Sequence, residues 1–134
     1  MGKHAMGAVV LAFAAASVIW AQPVASAEQP TVVRKVLMQE DAPGGQSMAL
    51  VSVTIPVGGR EGRHTHPGPL LVYVQSGAIS LDYEGKPNIT YKAGDTFFVE
   101  AGKIHEGINR GNVPAVAIAS FVTPKGQPLT TQVQ

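Results

Sequence analysis

From Thr31 onward the chain alternates short runs of β-branched and aromatic residues with turns rich in Gly, Pro and Asp. No window shows sustained helical periodicity, and runs of this length between turns are typical of short strands. The predicted strands are Val32–Leu37, Met48–Val57, Leu70–Ser76, Ala78–Tyr83, Asn88–Tyr91, Thr96–Glu100, His105–Asn109 and Val113–Val122. Strands at this spacing predict a single all-β barrel or sandwich domain.

The first 27 residues have the pattern of a signal peptide. Lys3 gives a basic start, residues 5–20 carry no charge, and Ala25-Ser26-Ala27 matches a small-residue cleavage site. An uncleaved membrane anchor is the alternative, but the apolar stretch is shorter than the roughly 20 residues that span a bilayer. We therefore predict a mature chain of residues 28–134 that is periplasmic or secreted.

Composition limits the partners of this mature chain. The full sequence has 10 basic and 9 acidic residues, and removing Lys3 leaves 9 of each. A neutral balance argues against the basic face that nucleic acids or anionic membranes require, so we expect no nucleic acid and no membrane partner after cleavage. The sequence has no cysteine, so stability must come from the core, helped by a metal or a second subunit.

Three of the four histidines are spaced for metal binding. Alternate side chains of a strand share a face, so His64 and His66 can converge on one ion while Thr65 turns away. His105 would then come from another strand. On the His-x-His pair alone, a solvated strand is an equally good interpretation.

Two groups of residues resemble the two sequence motifs of the cupin superfamily, in the same order and at a similar separation. The first group is Gly58, His64-Thr65-His66 and Gly77, and the second is Gly94, Gly102, His105 and Asn109. The resemblance covers about residues 48–122 and implies a double-stranded β-helix, a jelly-roll-like barrel, within a domain of residues 28–134. It also implies that His64, His66 and His105 hold one divalent transition metal. Residues 123–134 are expected to form an extended or loosely ordered arm.

The chain departs from the cupin motifs at two positions. Leu70 stands where the first motif has a glutamate ligand, and Glu100 stands where the second has a proline. Glu100, at a strand end, is the one candidate for a replacement carboxylate. Three neutral imidazoles would leave a divalent ion its full charge, which favours anionic ligands in open coordination positions. The ligand set suits Fe, Ni, Cu or Zn and does not choose among them.

A substrate pocket is expected beside the metal. Its predicted apolar wall consists of Leu70, Val72, Val74, Phe97 and Phe98, although ordinary core packing explains the same residues. Arg60 and Arg63 precede the metal pair and are candidate contacts for an anionic substrate, with solvated loop residues as the alternative.

The resemblance implies an exported metal-binding cupin with an open three-histidine site that acts on a small anionic molecule. A dioxygenase reaction is among the expected activities, because three-histidine cupins include enzymes that use ferrous iron and dioxygen. The alternatives are a non-catalytic cupin that binds or senses a small ligand and a domain in which the metal only stabilises the barrel. Cupins often pair through their sheets, so a homodimer is also expected.

Overall fold

Ten antiparallel strands in two sheets make up the computed structural model, which describes residues 26–134. The strands are β1 (Val33–Ala42), β2 (Gln46–Ile55), β3 (His64–Thr65), β4 (Leu70–Ser76), β5 (Ala78–Tyr83), β6 (Ile89–Lys92), β7 (Thr96–Val99), β8 (His105–Ile108), β9 (Ala115–Pro124) and β10 (Thr131–Gln132). The all-β prediction is confirmed. The predicted signal peptide falls almost wholly on residues 1–25, which lie outside the described residues. Within residues 26–134, no helix has the length and apolar character needed to cross a membrane.

The two sheets face each other across the core. The first sheet has the order β1-β2-β9-β4-β7, and the second has the order β10-β3-β8-β5-β6. Along β2 and β9 every second residue is buried, which is the alternation expected for strands with one face on a core. Many inward residues of this pair are small: Ala49, Ala115, Ala117 and Ala119. Two of these alanines, Ala117 and Ala119, border a space between the sheets that larger side chains would fill.

The two shortest strands, β3 and β10, are missing from the list of predicted strands, although His64 and His66 were expected on an extended segment. Each strand has two residues, too few to show a period of two, and both are held by pairing with other strands. The C-terminal arm that contains β10 pairs with β3 through Thr131 opposite Thr65 and Gln132 opposite His64. The end of the chain therefore packs beside the histidine strand.

Gly68 lies where β4 begins and passes very close to β9. A Cβ atom at this position would collide with the backbone carbonyl of Val122. Only glycine permits this approach, which carries the chain from His66 directly into β4. The position of His66 relative to Leu70 is therefore set by a backbone contact between strands.

Strand β1 is an edge strand with an exposed apolar surface. It pairs with β2 alone, and the side chains of Val33, Leu37 and Met38 are exposed. An exposed apolar edge is a surface on which a second chain can pair. The homodimer expected from the sequence stays a prediction.

Candidate metal centre

Three histidines from two strands and a loop meet at one point between the sheets. His64 on β3 is the direct cross-strand partner of His105 on β8, and His66 follows immediately after β3. All three are buried, and one ring nitrogen from each lies within 4.8 Å of the others. The structure thus brings together the three residues that were predicted to bind metal.

Hydrogen bonds to the backbone fix the orientation of each ring. The Nδ1 atoms of His64, His66 and His105 lie 2.7, 2.7 and 2.9 Å from the carbonyl oxygens of Gly62, Leu129 and Lys103. A carbonyl oxygen can only accept a hydrogen bond, so each Nδ1 carries the hydrogen and each neutral ring keeps a lone pair on Nε2. This is the usual arrangement for histidine ligands, whose second nitrogen donates to a carbonyl or carboxylate.

The spacing of the Nε2 atoms suits a metal ion. The Nε2 atoms of His66 and His105 are 3.2 Å apart. Two lone pairs at this distance repel each other unless a cation lies between them. Tetrahedral nitrogen ligands about 2.0–2.1 Å from Zn²⁺ are about 3.3 Å from one another. The spacing of these two nitrogens therefore fits two ligands of one transition metal ion, and a ring nitrogen of His64 lies within 4.8 Å of both.

Burial also favours the neutral, metal-binding form of two rings. Removal from solvent lowers the pKa of His66 and of His105 from 6.5 to about 4, and the hydrogen bonds to backbone carbonyls oppose the shift only in part. The positive charges of neighbouring histidines add to the lowering, and for His66 so does the charge of Arg34. Both rings are thus neutral at neutral pH, with a lone pair free on Nε2, as coordination requires.

These pKa values predict that the metal-free protein loses stability on mild acidification. Below pH 6.5 the two histidines take up protons in the unfolded chain but not in the folded protein, so each lowers the free energy of unfolding as the pH falls towards 4. The slope reaches at most about 1.4 kcal/mol per pH unit for each ring. Denaturant titrations between about pH 6.5 and 5, above the usual range of carboxylates, measure it.

A His105→Gln variant serves as the control for that measurement. Removing one titrating ring should reduce the slope by about half, because His66 alone remains. An equal slope in the variant and the wild-type protein would contradict the assignment of the effect to these rings.

A small cavity opens beside the Nε2 atoms. Its volume is about 140 Å³, below the roughly 300–1,000 Å³ of pockets for drug-sized ligands. Its apolar wall comes mainly from β2, β4, β5, β7 and β9, and consists of Val36, Val51, Val53, Ile55, Leu70, Val72, Ile79, Leu81, Phe97, Val99, Ala117, Ala119, Phe121 and Leu129. Only a small molecule can occupy it, and most of that molecule would contact apolar surface.

Three of the five predicted pocket residues border this cavity. They are Leu70, Val72 and Phe97, whereas Val74 and Phe98 do not border it. Val74 is fully buried, but it lies four residues along β4 from Leu70, about 13 Å away. Phe98 alternates with Phe97 and Val99, so its ring points to the opposite face of the sheet and is 53% exposed.

Arg60 is part of a structural ion pair. Its Nε and Nη2 atoms bind both carboxylate oxygens of Glu106 at 2.6 and 2.5 Å, and the same carboxylate accepts a bond from the backbone N of Gly62. The hydrogen bonds from Arg60 lower the pKa of Glu106 although its burial acts in the opposite direction. This network holds the loop before β3 against β8 and positions Gly62, whose carbonyl orients His64.

The remaining predicted contacts lie away from the cavity. Arg63 is exposed and does not border it. Glu100, the candidate replacement carboxylate, accepts a hydrogen bond of 2.8 Å from the Tyr83 hydroxyl and is outside the group of metal-binding atoms. The site therefore consists of three imidazoles, without a carboxylate among the described residues close enough to join them.

Several residues that border the cavity were not singled out in the sequence. Arg34 on β1, Glu61 in the loop before β3, and Leu129 and Thr130 in the C-terminal arm all line it. Arg34 is two residues from Val36 on a predicted strand, so the two side chains lie on the same face. A charged residue on the same strand face as an apolar one was the only indication in the sequence that Arg34 borders a pocket. The loop and the arm carry no periodic pattern that could have placed the other three.

A comparison with protein families agrees with this geometry. A family model described as "Cupin domain" matches residues 51–128, which include both histidine-containing segments. The chain belongs to the cupin family. The cupin match begins within β2 and ends after β9, so it includes the strands that carry the metal centre and most of the cavity wall.

Several known proteins are similar to this chain in sequence or structure. Putative germin-like protein 9-2 of Oryza sativa subsp. japonica is 33% identical over 104 residues, or 72% of this chain and 49% of that protein. A protein with a double-stranded β-helix domain from Klebsiella pneumoniae aligns at 21% identity with a TM-score of 0.62, over 79% of this chain and 90% of that one. An oxalate oxidase aligns at 21% identity with a TM-score of 0.58, over 69% of this chain and 57% of that one.

These likenesses differ in what they establish. The two structural alignments support the double-stranded β-helix fold and, at this identity, nothing finer. The chain spans about half the length of the curated relative it matches. The activity of this cupin must therefore be argued from its own site.

Proposed function

We propose that this cupin binds one divalent transition metal through His64, His66 and His105 and uses it to act on a small anionic molecule. The observation that carries the proposal is the convergence of three imidazole rings, each held through Nδ1 by a backbone carbonyl, beside a small apolar cavity. When bound, such a metal supplies a Lewis-acid centre with open coordination positions, and Fe or Cu would also supply redox chemistry with dioxygen.

The residues of the chain have three separate tasks in this proposal. Backbone carbonyls hold the imidazoles in one tautomer, so the ligands are already oriented when the metal arrives. The apolar wall excludes water from the reacting molecule and strengthens the electrostatic interactions within the cavity. With no carboxylate ligand among the described residues, the metal's charge would be uncompensated, which favours binding of an anion.

An oxygen-dependent reaction on a small carboxylate is the activity we propose. The small volume and apolar wall of the cavity and the uncompensated charge of a metal held by three imidazoles support this choice, and an oxalate oxidase shares the fold. Apolar walls and an anion-attracting centre suit a molecule of a few heavy atoms with one or two carboxylates better than a large neutral one.

Metal analysis followed by an oxygen-uptake screen tests the proposal. Purified protein is loaded separately with Fe, Ni, Cu and Zn, its metal content is measured, and small carboxylates, thiols and diketones are offered as substrates. We expect about one metal ion per chain and oxygen uptake with Fe or Cu but not Zn, because Zn²⁺ has no redox chemistry. Failure of every metal to bind would overturn the proposal, and binding without turnover would favour the non-catalytic role.

We also propose that the protein acts outside the cytoplasm after removal of residues 1–27. The basic start, the uncharged stretch and the Ala25-Ser26-Ala27 site support export. Mass spectrometry of protein from the periplasm or medium should find an N-terminus at Glu28. Full-length protein retained inside the cell would contradict export.

A further inference from the structure

Two charged side chains border the cavity in addition to the histidines, and they form an ion pair. Among the described residues that line the cavity, Arg34 and Glu61 are the only aspartate, glutamate, lysine or arginine side chains. Nη2 of Arg34 lies 3.0 Å from Oε1 of Glu61. A few convergent polar groups on an otherwise apolar wall are what orient a ligand in a small-molecule pocket.

The carboxylate of Glu61 is held in place by β8. The backbone N of Gly107 donates to Oε2 of Glu61 at 3.1 Å, and the backbone N of Glu61 donates to the carbonyl of Gly107 at 3.0 Å. A Cβ atom at position 107 would lie 2.6 Å from Oε2, so the glycine makes room for this carboxylate. Gly107 is two residues from His105 on the same face of β8, which places Glu61 on the histidine side of the sheet.

Arg34 forms the outer half of the pair and comes from the other sheet. It lies opposite Val53 on β2, and both residues border the cavity. Its side chain is 37% exposed, whereas that of Glu61 is 14% exposed. A molecule that enters from solvent therefore meets the guanidinium before the carboxylate. Partly exposed ion pairs contribute little to stability, so this pair can exchange partners at low cost.

Resting on the proposed function, we infer that Arg34 determines the specificity of the cavity for small carboxylates, with Glu61 as an internal competitor. The carboxylate of the bound molecule replaces Glu61 on the Arg34 guanidinium, which can form two parallel hydrogen bonds with it. Glu61 stays bonded to Gly107 and holds Arg34 at the cavity when no carboxylate is bound.

The two arginines predicted from the sequence lack this position. Arg60 already uses its Nε and Nη2 atoms to bind the buried carboxylate of Glu106. Arg63 is exposed and lies outside the cavity. Arg34 combines a free approach from solvent with a place on the cavity wall. Arg63 is consequently a matched control, since its replacement removes the same charge without changing the cavity.

Direct binding measurements with charge-removing variants test the inference. Acetate, oxalate and malonate, with neutral acetamide as the comparison, are titrated by NMR into the wild-type, Arg34→Gln, Arg34→Lys, Glu61→Gln and Arg63→Gln proteins at constant ionic strength. Each protein is studied metal-free and with Zn²⁺, so the role of Arg34 is measured whether or not metal binds. Metal content is determined separately and should not change in these variants.

The expected changes have opposite signs for the two members of the pair. Arg34→Gln should weaken carboxylate binding about tenfold or more, because a charge-assisted hydrogen bond is lost, and Arg34→Lys should restore part of it. Glu61→Gln should tighten binding about fivefold, because Arg34 loses its charged competitor. Arg63→Gln should change affinity less than about twofold, and acetamide should not respond to any variant.

Three results would overturn the inference. The first is equal weakening in Arg34→Gln and Arg63→Gln, and the second is weaker carboxylate binding in Glu61→Gln, as a purely structural pair would give. The third is the absence of carboxylate binding to the wild-type protein. If Arg34→Gln does not fold, the sign of the Glu61→Gln effect and the Arg34→Lys affinity still decide. Loss of metal binding with intact Arg34-dependent carboxylate binding would overturn the metal proposal alone.

Discussion

Replacement of His105 by alanine is expected to weaken metal binding at least about a hundredfold. Loss of a residue that merely orients a ligand already costs about 10–100-fold in metal affinity, and His105 is one of three proposed ligands. Its removal leaves His64 and His66, and among the described residues no other metal-binding side chain is close enough to replace it. Competition with a chelator of known affinity, read by metal analysis, measures the change.

Thermal unfolding gives a second measurement of the same effect. A metal that binds only the folded protein stabilises it in proportion to the logarithm of metal concentration over Kd. The melting temperature of the wild-type protein should rise when metal is added, and that of His105→Ala should not. Thr65→Ala is the matched control, because Thr65 neighbours His64 on β3 but is not part of the histidine cluster. Similar metal affinity in His105→Ala and Thr65→Ala would contradict the proposed ligand set.

The elements that the sequence predicted well are those with a strong local pattern. Strands such as β2 and β9 are runs of apolar and β-branched residues bounded by turn residues, so they could be predicted without tertiary information, and in the structure their side chains alternate between the two faces. The shared phase of His64 and His66 depends on the same alternation. Linking them to His105 required the resemblance to cupin motifs, because its pairing with His64 joins residues far apart in the chain.

The features that could not be predicted from the sequence depend on the order of strands in the sheets and on contacts between residues far apart in the chain. Arg34 borders the cavity because β1 joins the edge of the first sheet beside β2, and nothing local in the sequence sets that order. Arg60 looked equally available for an anion until the structure placed Glu106 against it, 46 residues along the chain. Chemistry assigned to a charged residue therefore depends on which partner the fold provides.

A Leu70→Glu substitution is expected to destabilise the metal-free protein and to tighten metal binding. Leu70 borders the cavity and is 4% exposed. A carboxyl group there without metal loses hydration and apolar packing, which should lower the free energy of unfolding by about 2–4 kcal/mol. With metal bound, the carboxylate can act as a fourth ligand at the position where the cupin motif has glutamate, so metal affinity should rise about tenfold or more. Denaturant titration with and without metal measures both effects.

Leu71→Glu is the matched control, because Leu71 is 63% exposed on the opposite face of β4 and should tolerate a carboxylate with little change in either quantity. The comparison also tests the charge argument behind the proposed function. A fourth ligand with a negative charge offsets one unit of the metal's charge, so Zn-loaded Leu70→Glu should bind oxalate more weakly than the wild-type protein despite holding its metal more tightly. Equal oxalate affinity in the two Zn-loaded proteins would mean that the anion is recognised by the cavity wall and not by the uncompensated charge of a three-imidazole centre.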